Sequence, residues 1–107
     1  MLDTLISSRR NPLVKRLRSL SSRAGREEKG LLLLEGTHLL QELVRLKIQP
    51  AELIATERWC QRHAQLLVGV NQVIPRRLVT DEVLTAALST VTPDGVASLC
   101  PLDALPE

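Results

Sequence analysis

The spacing of apolar residues changes abruptly in the middle of the chain. Leu31 to Leu34 are four consecutive leucines, and a run without alternation is typical of a central strand that is buried on both faces. Beyond Gly36 the apolar residues fall on one face of a helix: Leu39, Leu40, Leu43 and Val44. The pattern therefore predicts a central strand that turns directly into a helix. Gly36 is expected at the turn because glycine adopts unusual backbone angles at little steric cost.

An earlier helix is predicted to begin at Asn11-Pro12, because Asn is a good N-cap and Pro fits the first helical position. Gly25 is expected to end it. The apolar stripe that would face the core consists of Leu13, Leu17, Leu20 and Ala24. The side chains expected to point away from that stripe are Lys15, Arg16 and Arg18.

The rest of the chain alternates short strands with helices. Strands are predicted over 51–56, 72–74 and 96–100, and helices over 57–68 and 81–88. Thr56 and Thr80 are the expected N-caps of these two helices. The first of these helices is expected to bury some of Trp59, Cys60, Ala64, Leu67 and Val68, and the second to bury Val83, Leu84, Ala87 and Leu88. The order favours an α/β fold, a three-layer α/β/α sandwich around a small sheet of about four strands. Because Leu33 lies in the predicted central strand, it is expected to be fully buried.

Composition limits the class of protein. A chain of 107 residues fits one small domain. It has one Trp and no Phe or Tyr, which excludes an aromatic platform for stacking several bases. No apolar run approaches the roughly 20 residues of a membrane span, so no membrane partner is expected. Cys60 and Cys100 do not form a disulfide framework, and a reduced, cytoplasmic location is the simpler expectation.

Charge is unevenly distributed along the chain. Residues 1–29 hold eight basic and three acidic side chains, a net charge of +5, whereas residues 30–107 carry a net charge of −3. A basic segment on a mildly acidic domain is a common feature of proteins that bind polyanions. Arg76-Arg77 form a second, smaller basic spot. A solvated helix surface with no ligand remains the alternative interpretation.

Catalytic and metal sites find little support in the sequence. Cys60 and His63 have a C-x-x-H spacing, but a structural zinc site needs four ligands, and a buried thiol beside an exposed imidazole is the favoured interpretation. The sequence contains neither a Gly-rich phosphate loop nor a G-x-S-x-G motif. Glu35, at the end of its strand, is expected to bond backbone donors of a loop or an arginine rather than act as a general base. The sequence thus predicts a binding module without catalytic residues or a metal.

Three segments together resemble a known family. They are Asn11-Pro12 with Lys15, then Glu35-Gly36 with Leu39, Leu40 and Glu42, and finally Thr92-Pro93-Asp94-Gly95-Val96-Ala97. In this order and spacing they resemble the amino-terminal substrate-binding domain of SpoU/TrmH-type RNA 2′-O-ribose methyltransferases. Two positions depart from the family pattern: His38 stands where Arg is frequent, and Asp94 stands where Gln is common. A carboxylate at the second position would repel RNA.

The resemblance implies a fold like that of ribosomal proteins that bind kinked RNA. Residues 1–100 would form an RNA substrate-binding domain, and 101–107 would begin a linker to a catalytic domain. That catalytic domain would bind S-adenosylmethionine and methylate rRNA or tRNA. The present chain is expected to hold no cofactor and not to be catalytic alone. It is expected to be a monomer, and the parent protein a homodimer through the catalytic domain.

The structured RNA partner is predicted to contact the basic helix and the turn after the leucine run. The predicted RNA-binding residues are Arg9, Arg10, Asn11, Lys15, Arg16, Arg18, Gly36, Thr37 and His38. Because no aromatic platform is available, contacts to phosphates and to RNA shape are expected to dominate. Two other classes of function stay open: a protein-interaction or dimerisation domain whose basic segment is solvated, and a self-sufficient small enzyme.

Overall fold

A computed structural model describes residues 4–105 of the chain. The helices are α1 (Pro12–Ser19), α2 (Arg23–Lys29), α3 (Thr37–Arg45), α4 (Glu57–Arg62), α5 (Ala64–Val68) and α6 (Asp81–Ala87). The strands are β1 (Leu31–Glu35), β2 (Glu52–Ala55), β3 (Arg76–Leu78) and β4 (Val96–Pro101), and a 3₁₀ turn follows at Leu102–Ala104. The predicted linker, 101–107, thus starts at the last residue of β4, and its residues 106 and 107 lie outside the described part.

The four strands form one mixed sheet in the order β1-β4-β2-β3. β4 is antiparallel to both β1 and β2, and β2 is parallel to β3. Ile6 continues the ladder beyond β3 through a parallel bridge to Val79. Among these four strands β2 and β3 are therefore the only parallel pair. The chain segment that connects them contains α4 and α5.

Helices cover both faces of this sheet, which confirms the predicted three-layer α/β fold. α1 and α6 pack on one face, where Leu17 and Leu84 meet Ile54 and Leu99. α3 and α4 pack on the other face, where the buried residues include Leu40, Leu43, Trp59, Leu53 and Val96. β2 and β4 contribute to both clusters because their successive side chains point to opposite faces.

The prediction that the leucine run is the central strand is wrong. β1 lies at the edge of the sheet, and every one of its residues, including Leu33, is only half-buried. Leu31 and Leu33 pack against the cluster under α1, whereas Leu34 packs against the cluster under α3. The run lacks alternation because both faces of β1 touch a core, although one edge of the strand has no neighbouring strand in residues 4–105.

The predicted first helix is two helices. α1 begins where predicted, with the Asn11 Oδ1 accepting from the Leu13 N–H at 2.9 Å, but it ends at Ser19. Gly25 lies inside α2 rather than at a helix end, and Ala24 is exposed. A Cβ on Gly25 would lie 1.8 Å from the Ser19 carbonyl oxygen. Glycine is therefore needed for the close approach of the two helices.

The helix predicted over 57–68 breaks at His63, whose backbone angles, φ −120° and ψ 34°, are not helical. Of the five residues from which its buried side was expected, Trp59 is buried, whereas Ala64 and Val68 are exposed. The Thr56 and Thr80 hydroxyls cap α4 and α6 as predicted, each accepting a backbone N–H at 3.2 Å.

The strand predicted over 72–74 is also wrong, since the structure forms β3 four residues later. The Val73 N–H donates to the Asn71 side chain in a turn, and Val73 is 82% exposed. The parallel ladder starts at Pro75, whose carbonyl oxygen accepts the Leu53 N–H at 2.9 Å.

Candidate nucleic-acid interface

Four cations in or just before α1 are exposed and available to a ligand. We call them the arm cations: Arg9, Arg10, Lys15 and Arg18. None of their side chains takes part in an ion pair or a hydrogen bond within residues 4–105. They line a shallow groove together with Asn11 and Val14. The Asn11 oxygen caps α1, so its amide NH₂ is the group left for a phosphate or sugar.

Arg16 is also in α1, but its guanidinium is bound to a carboxylate of the sheet. Its Nη1 and Nη2 donate to the two oxygens of Glu52 at 3.1 and 2.9 Å. Arg77 Nε donates to the same carboxylate at 3.1 Å. Glu52 is 6% exposed. The guanidinium of Arg16, a predicted RNA-binding residue, is thus engaged by Glu52, and the same carboxylate holds Arg77 of the second basic spot.

The sequence analysis assigned no role to Glu52, although a glutamate inside the short strand ELIA was a usable signal. Burial raises the pKa of the Glu52 carboxyl, but the hydrogen bonds and charges of Arg16 and Arg77 outweigh burial and hold that pKa below the usual glutamate range. Glu52 is therefore a carboxylate at neutral pH. It fastens α1 to β2 and β3.

Gly36, Thr37 and His38 follow β1 at the carboxyl end of the strand, and we call these three residues the rim. Gly36 has φ +107°, which confirms that the turn needs a glycine-like conformation. The Thr37 N–H donates to Asp94 at 2.9 Å, and the Thr37 hydroxyl accepts from Trp59 Nε1 at 2.8 Å. His38 is exposed beside this turn.

Asp94 has a structural role that the sequence analysis did not foresee. Its carboxylate accepts the first backbone N–H of α3, where a negative charge is favoured. One of its two carboxylate oxygens is therefore engaged within the domain.

Glu35 has the predicted structural role. Its carboxylate accepts the backbone N–H groups of Ser89 and Thr90 at 3.4 and 3.1 Å, and the hydroxyls of both residues donate to it as well. Burial raises the pKa of Glu35, but these hydrogen bonds outweigh it and lower that pKa. The carboxylate thereby orders the loop that follows α6.

The arm cations and the rim are joined by a continuous surface. Arg9 and Arg18 also line a depression that runs along the end of α6 to Leu88 and Ser89. Leu88 is shared with the next depression, which contains Gly36 and His38. Among the predicted RNA-binding residues, Arg16 has its guanidinium bonded to Glu52, and both the N–H and the hydroxyl of Thr37 are in hydrogen bonds. The other predicted residues lie along this surface.

Two further arginines near the rim were missed by the sequence analysis. Arg58 and Arg62 lie on α4 and face a cavity of about 320 Å³ that also contains His63 and Asp94. The spacing of four residues between Arg58 and Arg62 was a usable signal in the sequence. The break at His63 could not be foreseen, because the sequence predicted one unbroken helix over 57–68.

Within residues 4–105 no group of three or more His, Cys, Asp or Glu side chains could hold a metal. Nor does any helix there have the length and apolarity of a membrane span.

Comparisons with known proteins place these features in context. The model of the MRM3-like substrate binding domain matches residues 11–98. An uncharacterized tRNA/rRNA methyltransferase of Synechocystis sp. is 39% identical over 99 residues, which are 92% of this chain and 36% of that protein. The present chain therefore spans about a third of that relative's length.

Solved structures share the fold at low sequence identity. An RNA 2′-O ribose methyltransferase aligns with a TM-score of 0.76 and 21% identity, over 92% of this chain and 38% of that one. An AdoMet-bound rRNA methyltransferase from Sinorhizobium meliloti aligns with a TM-score of 0.69 and 21% identity, over 90% of this chain and 35% of that one.

Proposed function

The chain belongs to the MRM3-like substrate-binding domain family, and from this premise we propose that it binds the RNA substrate of a SpoU/TrmH-type methyltransferase through the arm cations and the adjoining rim. The substrate is a structured rRNA or tRNA. The remainder of the parent protein, which binds S-adenosylmethionine, transfers the methyl group. The domain holds the RNA in position for that reaction.

The observation that carries this proposal is the free state of the arm cations. Exposed arginines that have acidic neighbours lose much of their attraction for a phosphate, since the carboxylate already neutralises them. Arg9, Arg10, Lys15 and Arg18 have no such neighbour among the described residues. They share one groove with Asn11, so several phosphates of one RNA strand can be contacted together.

Recognition by this surface is mainly of backbone and shape. Contacts to phosphates position an RNA but carry no sequence information. The arm has no aromatic side chain on which bases could stack, and its groove is shallow. We therefore expect the arm to discriminate weakly between RNA sequences of the same shape.

The proposal is tested by removing the arm cations and comparing with an equal loss of charge elsewhere. The arm variant carries Arg9→Gln, Arg10→Gln, Lys15→Gln and Arg18→Gln. The control variant carries Arg23→Gln, Lys29→Gln, Arg45→Gln and Lys47→Gln, four cations that are also exposed. Affinity is measured by fluorescence anisotropy with a labelled tRNA transcript and a labelled ribosomal RNA hairpin.

The arm variant should keep the thermal unfolding transition of the parent chain and bind RNA about tenfold more weakly or worse, because several phosphate contacts are lost. The control variant should lose no more than about threefold, because its cations act only through screened long-range attraction. Equal affinities of the folded arm variant and the parent chain would contradict the proposal and favour the protein-interaction alternative.

A further inference from the structure

The cavity beside α4 is lined by side chains of opposite charge from different elements. Arg58, Arg62 and His63, on or next to α4, are called the basic wall, and Asp81 of α6 with Asp94 of the loop before β4 the acidic wall. Its volume of about 320 Å³ fits a group the size of one nucleotide better than a protein segment. It adjoins the rim, since Asp94 and Pro93 line both this cavity and the depression that contains Gly36.

The basic wall suits a phosphate. Arg58 and Arg62 are four residues apart on α4, so their side chains project from the same helix face. Both are exposed, and neither is in an ion pair or a hydrogen bond within the part of the chain that the structure describes. Two guanidinium groups on one face can each donate two hydrogen bonds to phosphate oxygens.

His63 offers a face for stacking a base. Its ring stacks on the indole of Trp59, with centroids 4.9 Å apart and planes inclined by 26°. Trp59 is fixed beneath it, since the indole is 2% exposed and its Nε1–H donates to the Thr37 hydroxyl. Gly95 packs against the same indole, and a Cβ there would lie 2.8 Å from the Cβ of Trp59. His63 is half-exposed, and histidine is a frequent stacking partner of unpaired bases.

The acidic wall limits how a nucleotide can lie in the cavity. Carboxylates repel a phosphate but accept hydrogen bonds from the exocyclic amino group of a base. One oxygen of Asp94 accepts the Thr37 N–H, while the other has no hydrogen bond among the described residues. Asp81 also lines the cavity and is exposed. The phosphate therefore belongs on the side of Arg58 and Arg62, and the edge of the base on the side of the two aspartates.

We propose that this cavity binds one unpaired nucleotide of the RNA, with its phosphate on Arg58 and Arg62, its base on His63 and its amino group towards Asp94 and Asp81. The inference rests on the proposed function, because the cavity adjoins the rim of the RNA-binding surface. It adds a base preference that the arm cannot supply. Cytosine, which carries an amino group, is preferred over uracil, which has a carbonyl oxygen at that position.

The chain contains one tryptophan, so its indole N–H gives a single reporter of the cavity. We would titrate the ¹⁵N-labelled chain with pentacytidylate and, separately, with pentauridylate, and follow the Trp59 indole cross-peak. Pentacytidylate should shift this peak and bind about fivefold more tightly than pentauridylate, as expected for a carboxylate that discriminates one base edge.

Two variants and a matched control test the assignment of groups. Arg58→Gln with Arg62→Gln should weaken both oligonucleotides by about tenfold, because both lose their phosphate contacts. His63→Ala should weaken both by about fivefold or more through lost stacking. Lys29→Gln with Lys47→Gln, which removes two exposed cations that do not line this cavity, should alter neither affinity. Thermal unfolding verifies that each variant is folded.

The outcomes separate this inference from the proposed function. An unmoved indole peak, or equal binding of the two oligonucleotides, would overturn the nucleotide site even if the arm variant loses its binding to structured RNA. In the reverse case, a cytidine-dependent shift would support the site, while undiminished RNA binding by the arm variant would refute the proposed function alone.

Discussion

Arg16 and Arg18 stand two positions apart in α1 and have different surroundings. Arg18 is exposed and its guanidinium is free of ion pairs among residues 4–105. Arg16 gives both of its terminal nitrogens to Glu52, which is buried and also binds Arg77. The difference shows that a density of basic residues does not by itself define a binding surface. Within α1, the position of one carboxylate in the sheet decides which of the two arginines is available to a ligand.

The outward direction of Arg18 also depends on the contact between Arg16 and Glu52. The Glu52 carboxylate ties the middle of α1 to the sheet, and the apolar side of the helix, with Leu13 and Leu17, is buried against α6 and β4. Because both attachments fix the rotation of α1 about its axis, Lys15 and Arg18 are held facing outward. We therefore expect changes at Glu52 to act on stability and changes at Arg18 to act on RNA affinity.

The largest effect is expected for Glu52→Gln. The amide cannot satisfy two guanidinium groups, so both cations would face a partly buried site without a counter-charge. Since Arg16 and Arg77 are partly exposed, with 38% and 49% of their side chains accessible, water limits the loss of unfolding free energy to about 2 kcal/mol. Urea unfolding measures this loss, and a change below about 0.5 kcal/mol would show that the carboxylate does not anchor α1.

The substitutions Arg16→Gln and Arg18→Gln form a matched pair. Arg16→Gln should lower the unfolding free energy by about 1 kcal/mol, because it leaves part of the Glu52 carboxylate unpaired. Arg18→Gln should change it by less than about 0.5 kcal/mol, as is usual for an exposed side chain. RNA affinity should respond in the opposite order, falling about threefold for Arg18→Gln and little for Arg16→Gln. Equal responses of the two variants in both assays would remove the distinction.

The sequence predicted the fold class and the helix caps because these depend on local patterns. Thr56, Thr80 and Asn11 cap their helices through side chains two or three residues from their partners. The strand order could not be predicted in this way. The run of leucines suggested a central strand, and only the pairing of β4 between β1 and β2 shows that β1 is at the edge.

The candidate site was predictable to the extent that it depends on the basic helix itself. The withdrawal of Arg16 depends on Glu52, 36 residues away, and no periodicity in α1 encodes that contact. The cavity at α4 depends on the helix break at His63 and on the loop at Asp94, which come together only in the folded chain. Long-range contacts of this kind are what the sequence patterns could not supply.

A smaller effect is expected from acidification. The pKa values of Glu52 and Glu35 are lower in the folded chain than their ordinary value. A carboxyl of this kind contributes stability above its unfolded pKa, about 4.3, and that contribution is lost as the pH falls through the folded pKa. Unfolding free energy should therefore decrease from about pH 5 downward. Glu52→Gln should show a shallower decrease, and an identical pH profile for the two proteins would contradict the assigned role of Glu52.

The most direct test of the central claim is the salt dependence of RNA binding. The slope of log affinity against log salt concentration counts the phosphates that a protein neutralises, at roughly 0.7–0.9 for each contact. We would measure this slope for the parent chain, for the arm variant and for the control variant with four other cations replaced. The account predicts that the arm variant loses about two units of slope or more, whereas the control keeps the slope of the parent. Equal slopes for the arm and control variants would contradict the claim that the arm cations form the RNA-binding surface.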